Sequence, residues 1–301
     1  MKHILPACDT YPRSDQGIAT VISVILLLGL IIAFTTTIHL SYIPAWKNDA
    51  EYSHMDDVHY DMSNLKSNID ILSAVMLTNP GSSVFVSLPV RMGGGDIPIV
   101  ATGKSSGSLS LNTTYYGMVI TGNDLIGPVY NSTNDLLDLG TIRYSSKNNY
   151  YIDQMYEYEN GALLLVQQNR SLIKLSPAVV MQRTDGVNIS LMVSAVELNG
   201  NSRIKSSNSI EEVYVQTNNS TTLFSGIGLL SDATITVYTD YPDAWVQYFN
   251  MSAKRADLVY GTDYTLSSGV TNVTFTLTGG PGEEIQLYVQ KNSLDVRIDV
   301  I

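Results

Sequence analysis

The sequence has almost no cysteine: in 301 residues the only one is Cys8. Beyond that position the chain has no internal disulfide, no zinc–thiolate site and no cysteine nucleophile. Any folded part must therefore be stabilised by burial of apolar side chains and by backbone hydrogen bonds.

Histidine is nearly as scarce, and the four histidines all precede residue 60. The rest of the chain lacks the usual general base of a hydrolytic triad and the imidazole ligands of zinc sites. Residues 103–107 match the letters of the nucleophile-elbow motif G-x-S-x-G, but no histidine follows them. We therefore predict no catalytic residue, no metal site and no cofactor, and we interpret His54 and His59 as solvated helix side chains.

Charge is also low, because only 15% of the residues are charged and the formal net charge is −11. Lysine and arginine do not cluster anywhere, whereas nucleic-acid binding needs a basic patch. Ser, Thr, Asn and Tyr supply the polar surface instead. We predict no nucleic-acid partner and infer no small-molecule substrate.

Residues 18–40 form one long apolar run, IATVISVILLLGLIIAFTTTIHL, whose only titratable side chain is His39. As a helix this run is roughly 35 Å long, enough to cross a hydrocarbon core of about 30 Å. A removable secretory signal peptide is the alternative, but its apolar core is about 7 to 15 residues long and ends in a small-x-small site. The run is longer and ends in three threonines, so we predict a retained transmembrane helix over residues 18–42.

The flanks of this run give it a direction. Lys2 and Arg13 precede it, and an acidic segment follows it. The positive-inside rule then predicts a single-pass protein with a cytoplasmic N-terminus and an extracellular C-terminal part. Tyr42 and Trp46 fall where aromatic side chains occupy the outer membrane interface.

A second helix is predicted after Pro44, from about Asn48 to Leu77. Its apolar residues recur at alternating spacings of three and four, which places them along one seam. The segment ends at a Thr-Asn-Pro-Gly turn. We expect the seam to pack on the chain's own domain, although packing against neighbouring subunits is the alternative. The seam residues are Met55, Val58, Met62, Leu65, Ile69, Leu72 and Met76.

From residue 82 onward the apolar residues alternate with polar ones, which is typical of half-buried strands. Turn-rich connectors separate these short strands, and this pattern favours antiparallel pairing. The last three strands, at residues 273–277, 285–289 and 294–300, are predicted to form a meander. Residues 240–249 interrupt the alternation and predict a short amphipathic helix, with Asp240 accepting hydrogen bonds from its free N–H groups.

The predicted fold class is α+β. A leader at residues 1–17 precedes the transmembrane helix at 18–42 and the amphipathic helix at 43–80. Residues 81–301 form a mostly antiparallel, β-sandwich-like extracellular head with a short helix. Eight N-x-S/T sequons lie in the head, and Asn112, Asn131 and Asn219 are the best candidates for glycosylation in loops.

The end of the leader resembles that of archaeal type IV pilin-like proteins. Arg13, Asp15 and Gly17 stand directly before the apolar run. The resemblance implies cleavage by a prepilin peptidase between Gly17 and Ile18, whereas an uncleaved signal anchor is the alternative. The chain departs from the family at Gln16, where a basic residue is frequent, and in having no Glu at the fifth position after the implied cut.

A membrane helix followed by Pro44 and an amphipathic helix also resembles the N-terminal spine of these proteins. Residues 156–164, which we predict to form a strand-turn-strand, and residues 240–249 are similar to segments of their heads. The resemblance implies a minor or accessory filament subunit at the cell surface that packs with other pilin-like subunits and displays its head for adhesion. The alternative is a single-pass membrane protein with an extracellular binding domain that does not polymerise. An extracellular enzyme is disfavoured by the lack of histidine and cysteine in the head.

Overall fold

The computed structural model describes residues 15–97, 103–114, 116–132, 137–184, 188–226, 230–280 and 282–298. Within these ranges a long N-terminal helical rod is followed by a β-rich domain whose strands pair mostly antiparallel. The α+β prediction is confirmed at this level.

The rod consists of α1 (Asp15–Thr37), a π-helical turn (Ile38–Tyr42) and α2 (Ile43–Thr78). Pro44 has no N–H to donate to the carbonyl four residues before it, and its ring would clash with that carbonyl in a regular α-helix. The turn widens instead, so that the N–H of Ile43 bonds to the carbonyl of Ile38, five residues back. Proline therefore perturbs one turn without interrupting the helix, and α2 begins earlier than the predicted Asn48.

The strands of the described residues form three sheets. The strands are β1 (Phe85–Arg91), β2 (Ser106–Leu111), β3 (Gly117–Asn123), β4 (Pro128–Asn131), β5 (Leu137–Asp138), β6 (Thr141–Lys147), β7 (Gln154–Glu159), β8 (Ala162–Gln167), β9 (Arg170–Leu175), β10 (Val179–Thr184), β11 (Asn188–Asn199), β12 (Arg203–Ser207), β13 (Ile210–Ser225), β14 (Asp232–Tyr238), β15 (Tyr264–Ser268), β16 (Asn272–Thr278) and β17 (Ile285–Ile298). The central sheet has the order β1-β13-β17-β11-β10. The β6 sheet has the order β12-β2-β6-β7-β8-β9, and the β14 sheet has the order β15-β16-β14-β3-β4 with β5 beside β3.

The predicted C-terminal meander is wrong. Residues 285–298 form one strand of 14 residues, and β16 belongs to a different sheet. The polar segment 290–293 looks like a turn in the sequence, but its Gln290 and Asn292 are buried and hydrogen-bond to Ser220 and Ser194. Moreover, β17 runs parallel to β11 from Ile189 to Asn199, so the pairing is not wholly antiparallel.

Two hydrophobic cores lie on opposite faces of the central sheet. Along β17 the odd positions 285, 287 and 289 belong to the first core, and the even positions 294, 296 and 298 belong to the second. The strand β11 changes in the same way, from Ala195 in the first core to Val196 in the second. Because neighbouring side chains of a strand point to opposite faces, the two long strands cross from one core to the other.

A third helix, α3 (Pro242–Arg255), packs in the first core, as the amphipathic pattern predicted. Its Trp245 and Phe249 are fully buried, and Phe249 stacks on Phe275 of β16 at 5.0 Å between ring centroids. Asp240 does not cap this helix, because no side-chain cap is formed and its carboxylate instead accepts a hydrogen bond from the Tyr116 hydroxyl at 2.5 Å.

Candidate functional site

Helix α1 is long and apolar enough to cross a membrane. Its residues from position 19 to position 37 are all exposed in the isolated chain. A helix that is apolar around its whole circumference is surrounded by lipid or by other protein. The predicted cleavage bond between Gly17 and Ile18 lies in the first turn of α1, while residues 1–14 lie outside the described residues.

The predicted interface aromatics lie where the rod meets the head. Tyr42 ends the π-helical turn and Trp46 lies in the first turn of α2, with their ring centroids 5.8 Å apart. Both side chains are exposed. Between them Ile43 is already buried, so the head begins to cover the helix at the same level as these aromatics.

Two charged residues of α2 fasten the head to the rod at this level. The ammonium group of Lys47 is buried and donates to the backbone carbonyls of Gly95 and Gly103 at 2.7 and 2.5 Å. One helical turn later, the carboxylate of Glu51 accepts the backbone N–H groups of residues 149, 150 and 151 at 2.8 to 3.1 Å. We call these two residues the clamp.

The next turns of α2 continue this polar contact. His54 is buried rather than solvated as predicted, and burial lowers the pKa of its imidazole. A Cβ atom on Gly94 would lie 2.4 Å from the His54 ring, so only glycine fits there. Asp61 is also buried and binds the guanidinium group of Arg91 through two hydrogen bonds of 2.9 and 3.0 Å.

The clamp was missed in the sequence although a signal exists. Ile43, Lys47 and Glu51 recur every four residues and lead directly into the seam at Met55 and Val58. Charged residues at the buried positions of a helix have little contact with water. They therefore need partners in the elements that cover the seam. Their partners lie in loops about 50 and 100 residues away, and no local pattern identifies such contacts.

All seven seam residues lie in the second core, and none is more than 2% exposed. They pack with residues of the central sheet, such as Leu88 and Val213, and with residues of the β6 sheet, such as Tyr144 and Tyr158. The chain's own head therefore occupies this face of α2, and a neighbouring subunit has no access to it.

The densest group of buried charges lies between β7 and the segment before α3. The Arg143 guanidinium donates to both carboxylate oxygens of Glu157 at 2.9 and 3.0 Å, and the Tyr241 hydroxyl donates to the same carboxylate at 3.0 Å. Arg143 also approaches the Tyr116 hydroxyl at 3.4 Å. Burial raises the pKa of Glu157, and its hydrogen bonds with Arg143 oppose that shift.

Glu159 lies two residues further along β7 and is more isolated. Its Oε1 accepts the Thr239 hydroxyl at 2.6 Å and the Trp245 indole N–H at 2.7 Å, while Oε2 has no hydrogen-bond partner among the described residues. Burial raises its pKa to about 8, and the charge of Glu157 adds to the shift. Neither glutamate has any exposed surface, so we interpret the pair as part of the architecture of the head. In the described part of the chain, no three His, Cys, Asp or Glu side chains are arranged to hold a metal ion.

The three glycosylation candidates differ in their surroundings. Asn112 is buried with a positive φ of 47°, and its amide nitrogen donates to the carbonyls of Leu198 and Gly200. Asn112 lies just after β2, but a glycan on its buried nitrogen would break at least one of these bonds and has no space. This corrects the prediction of an accessible acceptor. Asn131 and Asn219 lie in strands β4 and β13 rather than in loops, and both are exposed.

The comparisons with known proteins add one relationship. The model of a family described as Family of unknown function (DUF7289) matches residues 16–297. No curated protein matches the chain, and no solved structure matches it. The matched range starts in the first turn of α1 and ends within β17, so it includes the apolar helix, the clamp, the seam and the strands of all three sheets. The chain therefore belongs to the Family of unknown function (DUF7289).

Proposed function

We propose that this chain is a single-pass membrane protein that displays its β-rich head on the outer cell surface. The observation that carries the proposal is the continuous rod. An apolar α1, exposed from position 19 to position 37, leads through one π-helical turn into α2, whose seam lies in the core of the head. The rod thus attaches the head to the membrane without a flexible linker.

The orientation rests on the charges at the two ends of the apolar run. Arg13 and Lys2 precede the run, whereas the first exposed charges after it are Asp49, Asp56 and Asp57. This distribution favours a cytoplasmic N-terminus and an extracellular head. Within that head, we infer that the three sheets pack in sandwich-like layers, and exposed Asn131 and Asn219 are the acceptors we propose for glycosylation.

The pilin-like role is the more specific form of this proposal. In it, a prepilin peptidase cuts between Gly17 and Ile18, and the mature protein joins other pilin-like subunits as a minor or accessory subunit that serves adhesion. Because the seam of α2 is occupied by the head, contacts between subunits would use α1 and the exposed face of α2. N-terminal sequencing of the membrane-extracted protein tests the cut: Ile18 as the first residue supports it, and Met1 supports an uncleaved anchor.

A second candidate function is a membrane-anchored binding protein that does not polymerise. The burial of the seam is consistent with it, since the chain's own head accounts for that face of α2 without a neighbouring subunit. Chemical cross-linking in native membranes separates the two candidates. Ladders of cross-linked copies joined through α1 support the filament subunit, and a monomer alone supports the binding protein.

The anchor itself is tested by alkaline carbonate extraction of membranes that contain the full chain. We expect the wild-type protein to stay in the pellet and an Ile25→Arg/Leu28→Arg protein to be released, because each central arginine costs about 2.5 to 3.5 kcal/mol on insertion scales. Ser67→Arg, on the exposed face of α2, is the matched control and should remain in the pellet. A wild-type protein in the supernatant would contradict the proposed function.

A further inference from the structure

The head begins at the depth of the lipid headgroups. Between Gly17 and Trp46 the chain has no Asp, Glu, Lys or Arg, and a helix of this length measures about 44 Å. A bilayer including both headgroup regions is about 40 to 45 Å thick. Ile43 and Lys47 are nevertheless buried by the head, so the loops that cover them lie next to the outer headgroups.

The clamp determines which loops these are. Lys47 holds residues 95–96 and 103–104 through the carbonyls of Gly95 and Gly103, and Glu51 holds the loop between β6 and β7 at residues 148–153. The side-chain amide of Asn48 adds a hydrogen bond to the carbonyl of Tyr150 at 3.1 Å. We call the surface formed by these three segments the underside of the head.

The loop at residues 148–153 directs apolar side chains outward. Its backbone N–H groups are bound by Glu51, and the Tyr151 ring packs edge-on against Tyr52 of α2 at 5.5 Å between centroids. Tyr150 and Ile152 remain 47% and 44% exposed. A tyrosine beside an aliphatic residue, held at this height on a rigid loop, matches the composition of membrane interfaces.

The underside carries exposed charges of both signs. Lys104 and Lys147 are exposed, and no ion pair joins either of them to another residue that the structure describes. They lie close together because Ser106 pairs with Lys147 in the register of β2 and β6. The acids of the same surface are Asp49, Asp96 and Asp153, and Asp153 accepts the backbone N–H of Asn148.

We propose that the underside binds the outer leaflet directly, with Tyr150 and Ile152 in the headgroup region and with Lys104 and Lys147 near lipid phosphates. The proposal rests on the proposed function, because it requires α1 to span the membrane. The partner is a lipid bilayer. With a second contact beside the rod, the height and tilt of the head are fixed on the membrane.

The opposite end of the head provides a distant reference point. Arg91 contacts Asp61 and Gly95 contacts Lys47, so β1 runs antiparallel to α2 and returns toward the membrane. Strands β13 and β17 pair with it in turn, and Ile298 at one end of β17 pairs with Val213 beside β1. The strand β17 is about 40 Å long, and its other end lies at the end of the sheet away from the rod's apolar helix.

The turn between β3 and β4 belongs to that distant end. A backbone bond joins Asn123, at the end of β3, to Ser231, and Leu230 next to it forms an isolated bridge with Ile285 at the start of β17. Ile126 lies in the same turn and is 95% exposed. A label at position 126 therefore reports on a surface far from the proposed lipid contact.

The experiment uses the full chain with Cys8→Ser, which removes the only cysteine. A single cysteine replaces exposed Asn149 or distant Ile126 and carries an environment-sensitive fluorophore. The protein is reconstituted in vesicles of phosphatidylcholine and phosphatidylglycerol that contain a headgroup nitroxide quencher. We expect quenching to be several-fold stronger at position 149 than at position 126. Equal quenching at the two positions would overturn the proposal.

Two pairs of substitutions separate binding from mere proximity. With the label at position 149, Tyr150→Asp/Ile152→Asp should reduce quenching to about half or less, since charged groups leave the interface. Lys104→Glu/Lys147→Glu should reduce it in anionic vesicles and not in pure phosphatidylcholine. An unchanged thermal midpoint shows that each variant is folded.

If Tyr150→Asp/Ile152→Asp leaves quenching at the parent level, the inference fails while the membrane anchor stands. If the parent protein does not float with the vesicles, the proposed function itself is refuted.

Discussion

An Ile69→Asp protein is expected to lose several kcal/mol of unfolding free energy, enough to remove most of the stability of an ordinary domain. Ile69 has no exposed surface and lies in the second core, where the aspartate would be buried among mostly apolar side chains. Leu65→Asp should have the same effect, because Leu65 is equally buried in that core. Circular dichroism during thermal unfolding in detergent measures both changes.

Ser67→Asp is the matched control for this prediction. Ser67 lies between the two seam positions on the same helix but is exposed, so the same charge should change the thermal midpoint little. If Ile69→Asp melts like the parent, the seam is not buried in the subunit and must serve contacts between subunits. The comparison therefore shows whether the seam packs on the chain's own head or on neighbouring subunits.

The second large effect is a loss of stability as the pH rises from about 6.5 to 8. The folded pKa of Glu159 is about 8, above its ordinary value of 4.5. The folded state then retains a proton that the unfolded state has released, so the stabilisation present at low pH disappears as pH passes the folded pKa. The unfolding free energy falls by at most about 2 kcal/mol over this window.

Glu159→Gln tests this assignment because it keeps the shape and removes the ionisation. We expect its unfolding free energy to vary much less between pH 6.5 and 8 than that of the parent. The same slope in both proteins would assign the effect to another group, such as Glu157, whose pKa burial also raises. The window starts at about pH 6.5 because the histidines act in the opposite direction below it. Burial lowers the pKa values of His54 and His59, so their protonation at lower pH favours the unfolded state.

The parts of the fold that a local pattern encodes were predictable from the sequence. The apolar run became α1, the three-and-four spacing became the seam, and the hairpin at residues 156–164 formed as β7 and β8 with a turn of positive φ at Asn160 and Gly161. Each of these depends on neighbours within a few residues. Periodicity carries that information directly.

The parts that failed depend on contacts between distant segments. The residues between Val289 and Leu294 read as a turn because their buried polar groups are satisfied by Ser194 and Ser220, which lie far away in the sequence. The partners of the clamp and the environment of Glu159 also depend on segments that are distant in the sequence. Asn112 was misread as an accessible residue because its left-handed conformation and its partners at Leu198 and Gly200, which bury it, appear only in the folded chain.

The long shared strands of the central sheet also determine how the head transmits mechanical force. A pull on the far end of the molecule reaches the anchor through the pairing of β17 with β13 and then of β13 with β1, beside α2. That force acts along the strands, so the hydrogen bonds of each pair are sheared together instead of being opened one after another. In the proposed membrane-anchored protein, a pull on the far end of the head would have to break many hydrogen bonds at once.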